Sequence, residues 1–462
     1  MKETKKLDIT IKSTIHSRTK YGNETLRGNM SKQLDEIFNF SDTSEACIKC
    51  GKCIPVCTIH QINPDETTSP RGFIDLLGAY KRGDLELDKN AKDIFESCFL
   101  CTNCVDVCPN SLATDMVIEE VRADIAEKYG IAWFKRAFFF LLRHRWVMDL
   151  VMKLGFMFKT CALSVDEKGR GLKARFALPM VKKGRLLPSL AKTSFLNSHP
   201  EEIPAPVQEK KNPRVAIFIG CLANYNYTDI GESLVEILKQ LNIDVFIPKK
   251  QLCCGAPAYF TGDSDSVEYM TKKNIKYFES FMDECDAMLI PEATCSAMIK
   301  HDWQVFFANH DMPEWEERAK KVAEKIHMAT AWLYNNTDLV KLLEEKGKKF
   351  DDVVTYHDPC HARKVQGIWK EPRNLLAQSY PMKEMSDPNR CCGFGGVTMQ
   401  TEKFHLAEAA GKPKAAMIKE TKAKYVSAEC SACRVQLSEA MNNAEVETIF
   451  KNPLELIAEA LK

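Results

Sequence analysis

Two cysteine runs, Cys47-x2-Cys50-x2-Cys53-x3-Cys57 and Cys98-x2-Cys101-x2-Cys104-x3-Cys108-Pro109, have the spacing that holds [4Fe–4S] clusters. Three cysteines two residues apart wrap a tight loop around three corners of a cube. The fourth, carried off on the following turn, reaches a neighbouring cube. By that rule one cluster takes Cys47, Cys50, Cys53 and Cys108, and a second takes Cys98, Cys101, Cys104 and Cys57. Zinc prefers isolated CxxC pairs that close a tetrahedron, and a full four-cysteine run fits it poorly. Thr58 stands where a proline would follow Cys57, a change that alters the turn and removes no ligand.

The stretch Cys391-Cys392-Gly393-Phe394-Gly395-Gly396 raises a second question, because adjacent thiols cannot easily pair and a packed core gains nothing from them. They belong to an internal repeat. The second copy contains Cys360, Cys391, Cys392 and Cys430-x2-Cys433; the first contains Cys221, Cys253, Cys254 and Glu292-x2-Cys295. Gly393, Gly395 and Gly396 remove side chains, so that the backbone can approach a bulky cluster and offer amide donors to sulfur. Five thiols are one too many for a simple cubane. In the first copy Glu292 replaces a thiol with a harder carboxylate. The remaining Cys221, Cys253, Cys254 and Cys295 are left with three options: an ordinary cubane, another metal, or nothing. His357 and His361 flank Cys360, where they could hydrogen-bond a cluster sulfur or an anion, or simply pack. Cys161 and Cys285 lie outside either pattern and read as ordinary thiols.

The elements that must position these residues follow from the apolar pattern. Between Cys57 and Cys98 the apolar residues recur at helical spacing, which predicts a helical ferredoxin module over 41–130 rather than a small β-rich one. Beyond 210, the runs "RVAIFIG", "DVFIPKK", "DAMLIPE", "VVTYHDP" and "KYVSAE" alternate with helical stretches. That alternation predicts two similar Rossmann-like α/β repeats with parallel strands, 211–340 (degenerate) and 341–462 (complete). Their thiols then fall at the C-terminal ends of strands, where open α/β sheets bind ligands. The fold class is α/β plus α.

Residues 131–210 form a basic aromatic segment and linker, and over 131–195 there are 14 Lys+Arg against 3 Asp+Glu, a local balance of +11. Charge interrupts each apolar run short of the roughly 20 residues that span a bilayer. A helix pair at 131–160 could instead lie in a membrane interface, with basic residues drawn to anionic lipid. A buried helical layer or a partner-docking surface is the alternative. Residues 1–40 are polar and are expected to be mobile or ordered only against a partner.

The chain has 462 residues, ordinary globular composition and a net charge of +1, which gives no global attraction to nucleic acid. Its 19 cysteines are clustered, odd in number and preceded by no visible export signal, which points to a reducing, cytoplasmic setting, with the inner membrane face as a peripheral location. "GFGG" does not match a strand–GxGxxG–helix fingerprint and no GxxxxGK[ST] is present. The chain is therefore expected to carry no FAD or NAD of its own, and two-electron chemistry must come from a partner.

From about residue 41 onward the sequence resembles the glycolate oxidase iron–sulfur subunit and the related cysteine-rich subunits of heterodisulfide reductase and of anaerobic glycerol-3-phosphate dehydrogenase. The resemblance is carried by the two cysteine runs, "SPRG" at Ser69–Gly72, "YHDPCH" at Tyr356–His361, "QGIWKEPRNLL" and the CCG repeats. It implies a third, non-cubane [4Fe–4S] cluster on the five thiols of the complete repeat. It also implies electron transfer from an FAD-linked 2-hydroxy acid dehydrogenase subunit to a quinone or another carrier. The relatives suggest two alternatives: disulfide cleavage at the C-terminal site, or service to a glycerol-3-phosphate dehydrogenase.

Overall fold

The computed structural model describes residues 40–166, 169–176, 184–207 and 212–462. The expectation for residues 1–40 falls almost wholly outside them. From Phe40 to Tyr129 the described chain is helical, with segments Thr58–Ile62, Pro70–Lys81, Lys89–Glu96 and Thr114–Tyr129 between and after the cysteine runs. Local chemistry sets where these helices begin. Ser69 accepts from the Gly72 amide at 3.0 Å with Pro70 in the first turn, and Asp88 accepts from the Ala91 amide at 2.7 Å.

The basic aromatic segment forms helices Trp133–Arg143 and Arg145–Ala162. A small antiparallel sheet follows, which the sequence pattern did not suggest: β1 (Leu163–Val165), β2 (Leu172–Ala174) and β3 (Leu186–Leu187). The linker also contributes structure. Its Glu202–Ile203 is strand β4, held because Ile203 and Ala205 are buried.

β4 is the antiparallel edge of a five-stranded sheet whose other members are parallel: β5 (Arg214–Ile217), β6 (Asp244–Phe246), β7 (Ala287–Ile290) and β8 (Ile326–Met328), in the order β4-β6-β5-β7-β8. A second parallel sheet contains β9 (Val354–Tyr356), β10 (Tyr425–Ser427) and β11 (Ile449–Lys451), in the order β11-β10-β9, with a single parallel bridge from Val354 to Met382 on its other side. Counting that bridge as a vestigial strand, both sheets order their strands 2-1-3-4 within the repeat.

The two sheets exchange helices. The last helix of the first repeat, Ala329–Asn336, packs on Lys370–Ala377 of the second, and the last helix of the second, Pro453–Leu461, packs on Asp229–Gln240 of the first. One apolar cluster runs from Phe73, Phe95 and Phe99 of the cysteine-run helices through Phe260 and Trp303 to Met399 and Phe404. A buried cation closes this seam: the Arg122 guanidinium donates to the carbonyls of Phe95 (3.3 Å), Glu96 (3.3 Å), Cys98 (2.7 Å) and Phe260 (3.0 Å). Arg122→Met leaves these carbonyls unpaired in the interior and is expected to destabilise the protein by about 3 kcal/mol, read as an earlier denaturant midpoint and faster proteolysis near Gly262.

Candidate iron–sulfur sites

The two cysteine runs share one backbone. Lys49 and Leu100, at equivalent positions, have φ of 55° and 50°, and Gly51 and Thr102 have 76° and 57°. Left-handed residues between cysteines fold the loop back and turn its amides inward, forming a concavity suited to an anion; the Leu100 amide lies 3.4 Å from Cys98 Sγ. Burial pushes the Cys53 thiol up, and the other thiols acting on it are Cys108, Cys47 and Cys50. Burial likewise raises Cys57, whose neighbouring thiols are Cys101 and Cys98, and raises Cys104, which is set among Cys98, Cys101 and Cys57. The thiols thus gather as two groups of four, each drawing its fourth member from the other run. The first group lies at the surface, with Cys50 exposed, while Cys57 and Cys101 of the second are buried. Thr58, in the place of the expected proline, has its hydroxyl 3.5 Å from Cys101 Sγ.

Cys101 donates to Cys391 of the second repeat, and Cys391 in turn to Cys392. Cys433 donates to both Cys392 and Cys430. Thiols accepting in this way are held down: Cys392, bonded by Cys391 and Cys433, to about 6, and Cys430, bonded by Cys433, also to about 6. Burial pushes Cys360, at the start of helix Cys360–Gln366, up to about 12. A continuous line of sulfur therefore joins the second cysteine run to the complete repeat. The Gly393 amide donates to Cys391 Sγ at 3.3 Å. Gly393 has φ of 89° and a Cβ there would sit 2.8 Å from Ala410 Cβ; Gly395 has φ of 64° and a Cβ would meet Phe99 Cδ1 at 2.8 Å. The first glycine seats the thiol loop on its helix, and the second admits the Cys98–Cys101 loop against it.

Two lysines that the spacing of the thiols does not announce are buried beside these sulfurs. Lys364 donates to Cys101 O at 3.2 Å, to Asn389 O at 3.3 Å and to Asn103 Oδ1. Lys414 donates to the carbonyls of Asp387 (2.7 Å) and Pro388 (2.9 Å), and its pKa falls to about 8 through burial. A lysine one helical turn after Cys360, and another inside the small-residue run "AAGKPKAAM", were the available signals.

In the first repeat a similar line runs from Cys221 to Cys253, Cys254 and Cys295, with 3.4 Å between Cys254 Sγ and Cys295 Sγ. Glu292 is turned away from it. Its carboxylate accepts from the Ser431 amide at 2.7 Å and from the Ser431 hydroxyl, so it caps the Ser431–Asn443 helix of the other repeat. Burial, with Cys430 close by, raises it to about 8. Cys161 is exposed, and Cys285 is buried beside Lys325 and Arg214, apart from both thiol lines.

Clustered soft donors, inward amides and buried cations suit an anionic iron–sulfur group in the two cysteine runs and the complete repeat. Residues 43–112 match the 4Fe-4S dicluster domain, and residues 215–300 and 354–438 each match the Cysteine-rich (CCG) domain. A Bacillus subtilis protein named "Probable glycolate oxidase iron-sulfur subunit" is 28% identical over 403 residues, covering 85% of this chain and 87% of its own. Lactate utilization protein A of Geobacillus thermodenitrificans is 32% identical over 220 residues, covering 47% of this chain and 87% of its own. The chain belongs to the glycolate oxidase iron–sulfur subunit family. It is similar also to one of the subunits of the fumarate reductase (CoM/CoB) of Methanothermobacter marburgensis, at 27% identity over 432 residues, 91% of this chain and 73% of the relative.

Two substitutions probe the arrangement. Gly393→Ala forces a side chain into a left-handed position against Ala410, at roughly 1–3 kcal/mol before the clash, and should lower the iron content while the ferredoxin-type EPR signals persist. Glu292→Ala strips the cap from the Ser431 helix and should cost roughly 1–2 kcal/mol, measured by chemical denaturation, without reducing iron.

Proposed function

We propose that this chain is the electron-transfer subunit of a 2-hydroxy acid dehydrogenase of the glycolate or D-lactate type. An FAD-linked partner protein removes the substrate's electrons, and a quinone or another carrier receives them. Iron–sulfur clusters, when bound, supply the one-electron couples that such a subunit needs. The observation that carries this reading is the contact of Cys101 with Cys391, which joins the thiols of the cysteine runs to those of the complete repeat. Cys47, Cys50, Cys53 and Cys108 would hold one cubane, and Cys98, Cys101, Cys104 and Cys57 the second. Cys360, Cys391, Cys392, Cys430 and Cys433 would hold a third, non-cubane group. The exposed thiol of Cys50 makes the first set the one that a partner can approach. The relatives named for glycolate oxidase and lactate utilization support the substrate class.

The relative named for a CoM/CoB fumarate reductase supports a second reading, disulfide chemistry at the complete repeat. Glu292 weighs against it if both repeats are required, since its carboxylate is engaged with Ser431. The tests separate the two. With the flavoprotein partner present, glycolate or D-lactate should bleach the cluster absorbance of anaerobically isolated protein. Oxidation of the reduced protein by a disulfide, with no flavoprotein present, would favour the second reading.

We further propose peripheral membrane contact through residues 131–160. No described helix is long and apolar enough to cross a bilayer. Helix Arg145–Ala162 buries none of its residues, and Trp133, Trp146, Met157 and Phe158 are 60–72% exposed alongside Lys153 and Lys159. Sedimentation with anionic liposomes at low salt, weakened severalfold by Trp146→Glu with Phe158→Glu, is the expected result. Failure to sediment removes the membrane reading.

A further inference from the structure

His357 lies on the loop between β9 and Cys360, is 1% exposed, and has no hydrogen-bond partner for either ring nitrogen. A buried imidazole with both nitrogens unpaired is rare, because one of them carries a proton that needs an acceptor and the other a lone pair that needs a donor or a metal. One ring nitrogen, Cys392 Sγ and Cys433 Sγ lie within 4.8 Å of one another, and among the described residues they are the one group with metal-ligand spacing that includes a histidine. The flanking histidine differs. His361 Nδ1 lies 3.4 Å from the Thr294 hydroxyl and 3.6 Å from Cys360 Sγ, and its ring stacks on Phe260 at 5.6 Å, a fully partnered packing role.

We infer that His357 is a nitrogen ligand of the metal group held by the complete repeat, a sixth donor beside Cys360, Cys391, Cys392, Cys430 and Cys433. The inference rests on the reading of that repeat as an iron–sulfur site. Once Cys392 and Cys433 hold metal as thiolates, neither can donate a proton to the ring. A ring N–H directed at sulfur would satisfy one nitrogen only, leaving the lone pair without a partner in a dry interior. The buried cations of Lys414 and Lys364 both act on the ring and disfavour imidazolium, which keeps that lone pair available. Imidazole beside thiolate and sulfide has a precedent in Rieske centres, where two histidines ligate one of the irons.

The test uses the full-length protein, isolated anaerobically with its clusters, from cells fed 14N- or 15N-histidine. Pulsed EPR on the signal assigned to the complete repeat, identified by its loss in Cys391→Ser, should show a nitrogen coupling as large as that of a Rieske imidazole. It should change with the isotope, survive His361→Gln and vanish in His357→Gln. A signal with no histidine coupling, or with only the weak coupling of a hydrogen bond, overturns the inference and leaves the iron–sulfur reading standing. Absence of any third cluster signal overturns both. The labelled wild-type protein decides the matter even if His357→Gln does not fold.

Discussion

Sulfur that binds iron is anionic, and most of the sulfur in this chain lies out of water. Cys57, Cys101, Cys391, Cys392, Cys430 and Cys433 are all buried. Charge at such depth requires compensation from nearby charge and hydrogen bonds, because solvent cannot supply it. The chain meets this with cations that carry no carboxylate of their own. Lys364 and Lys414 are held by carbonyls and an amide oxygen, and Arg122 by four carbonyls. Each leaves its positive charge facing thiols. The surface group around Cys50 has no comparable buried lysine among the described residues, and there water can do the screening.

The second organising relation is the interlock of the repeats. Beyond the exchange of helices, a buried carboxylate crosses in each direction: Glu292 of the first repeat caps the helix at Ser431, and Glu429 of the second accepts from Thr330 at 2.5 Å. The Ala293 amide adds a bond to the Glu429 carbonyl at 2.8 Å. Glu292 occupies the position of a ligand and serves as an adhesive, so the two copies have come to differ in role while keeping one strand order.

Much of this was legible from residue types and spacing. The five apolar runs read as strands are β5, β6, β7, β9 and β10, and the stretch between the cysteine runs is helical. β8 and β11 escaped notice because each is only three residues long, "IHM" and "IFK", and each follows a polar helical stretch that hides its pattern. The β1–β3 sheet was hidden for a similar reason, inside a segment whose basic charge dominates its composition. At the sites, the thiols announced themselves through spacing. The lysines did not, since a buried lysine looks like a surface one until the fold shows what surrounds it. Gly395 was read as making room for a cluster, yet its neighbour is Phe99, a protein side chain from a distant run. Spacing reveals which residues share a loop, but not which loop will be pressed against it.

The exchange of helices between the repeats bears on how iron gets in. Cys392, Cys430 and Cys433 lie behind helices whose outer faces are clamped by the sister repeat, and Lys403 fastens the same region to Asp93 at 2.5 Å. A chain closed in this way offers a scaffold protein no open doorway to its innermost sulfurs. Maturation is then expected to be an ordered event, with metal delivered while the halves are still ajar and the final clasping of the twins sealing it inside.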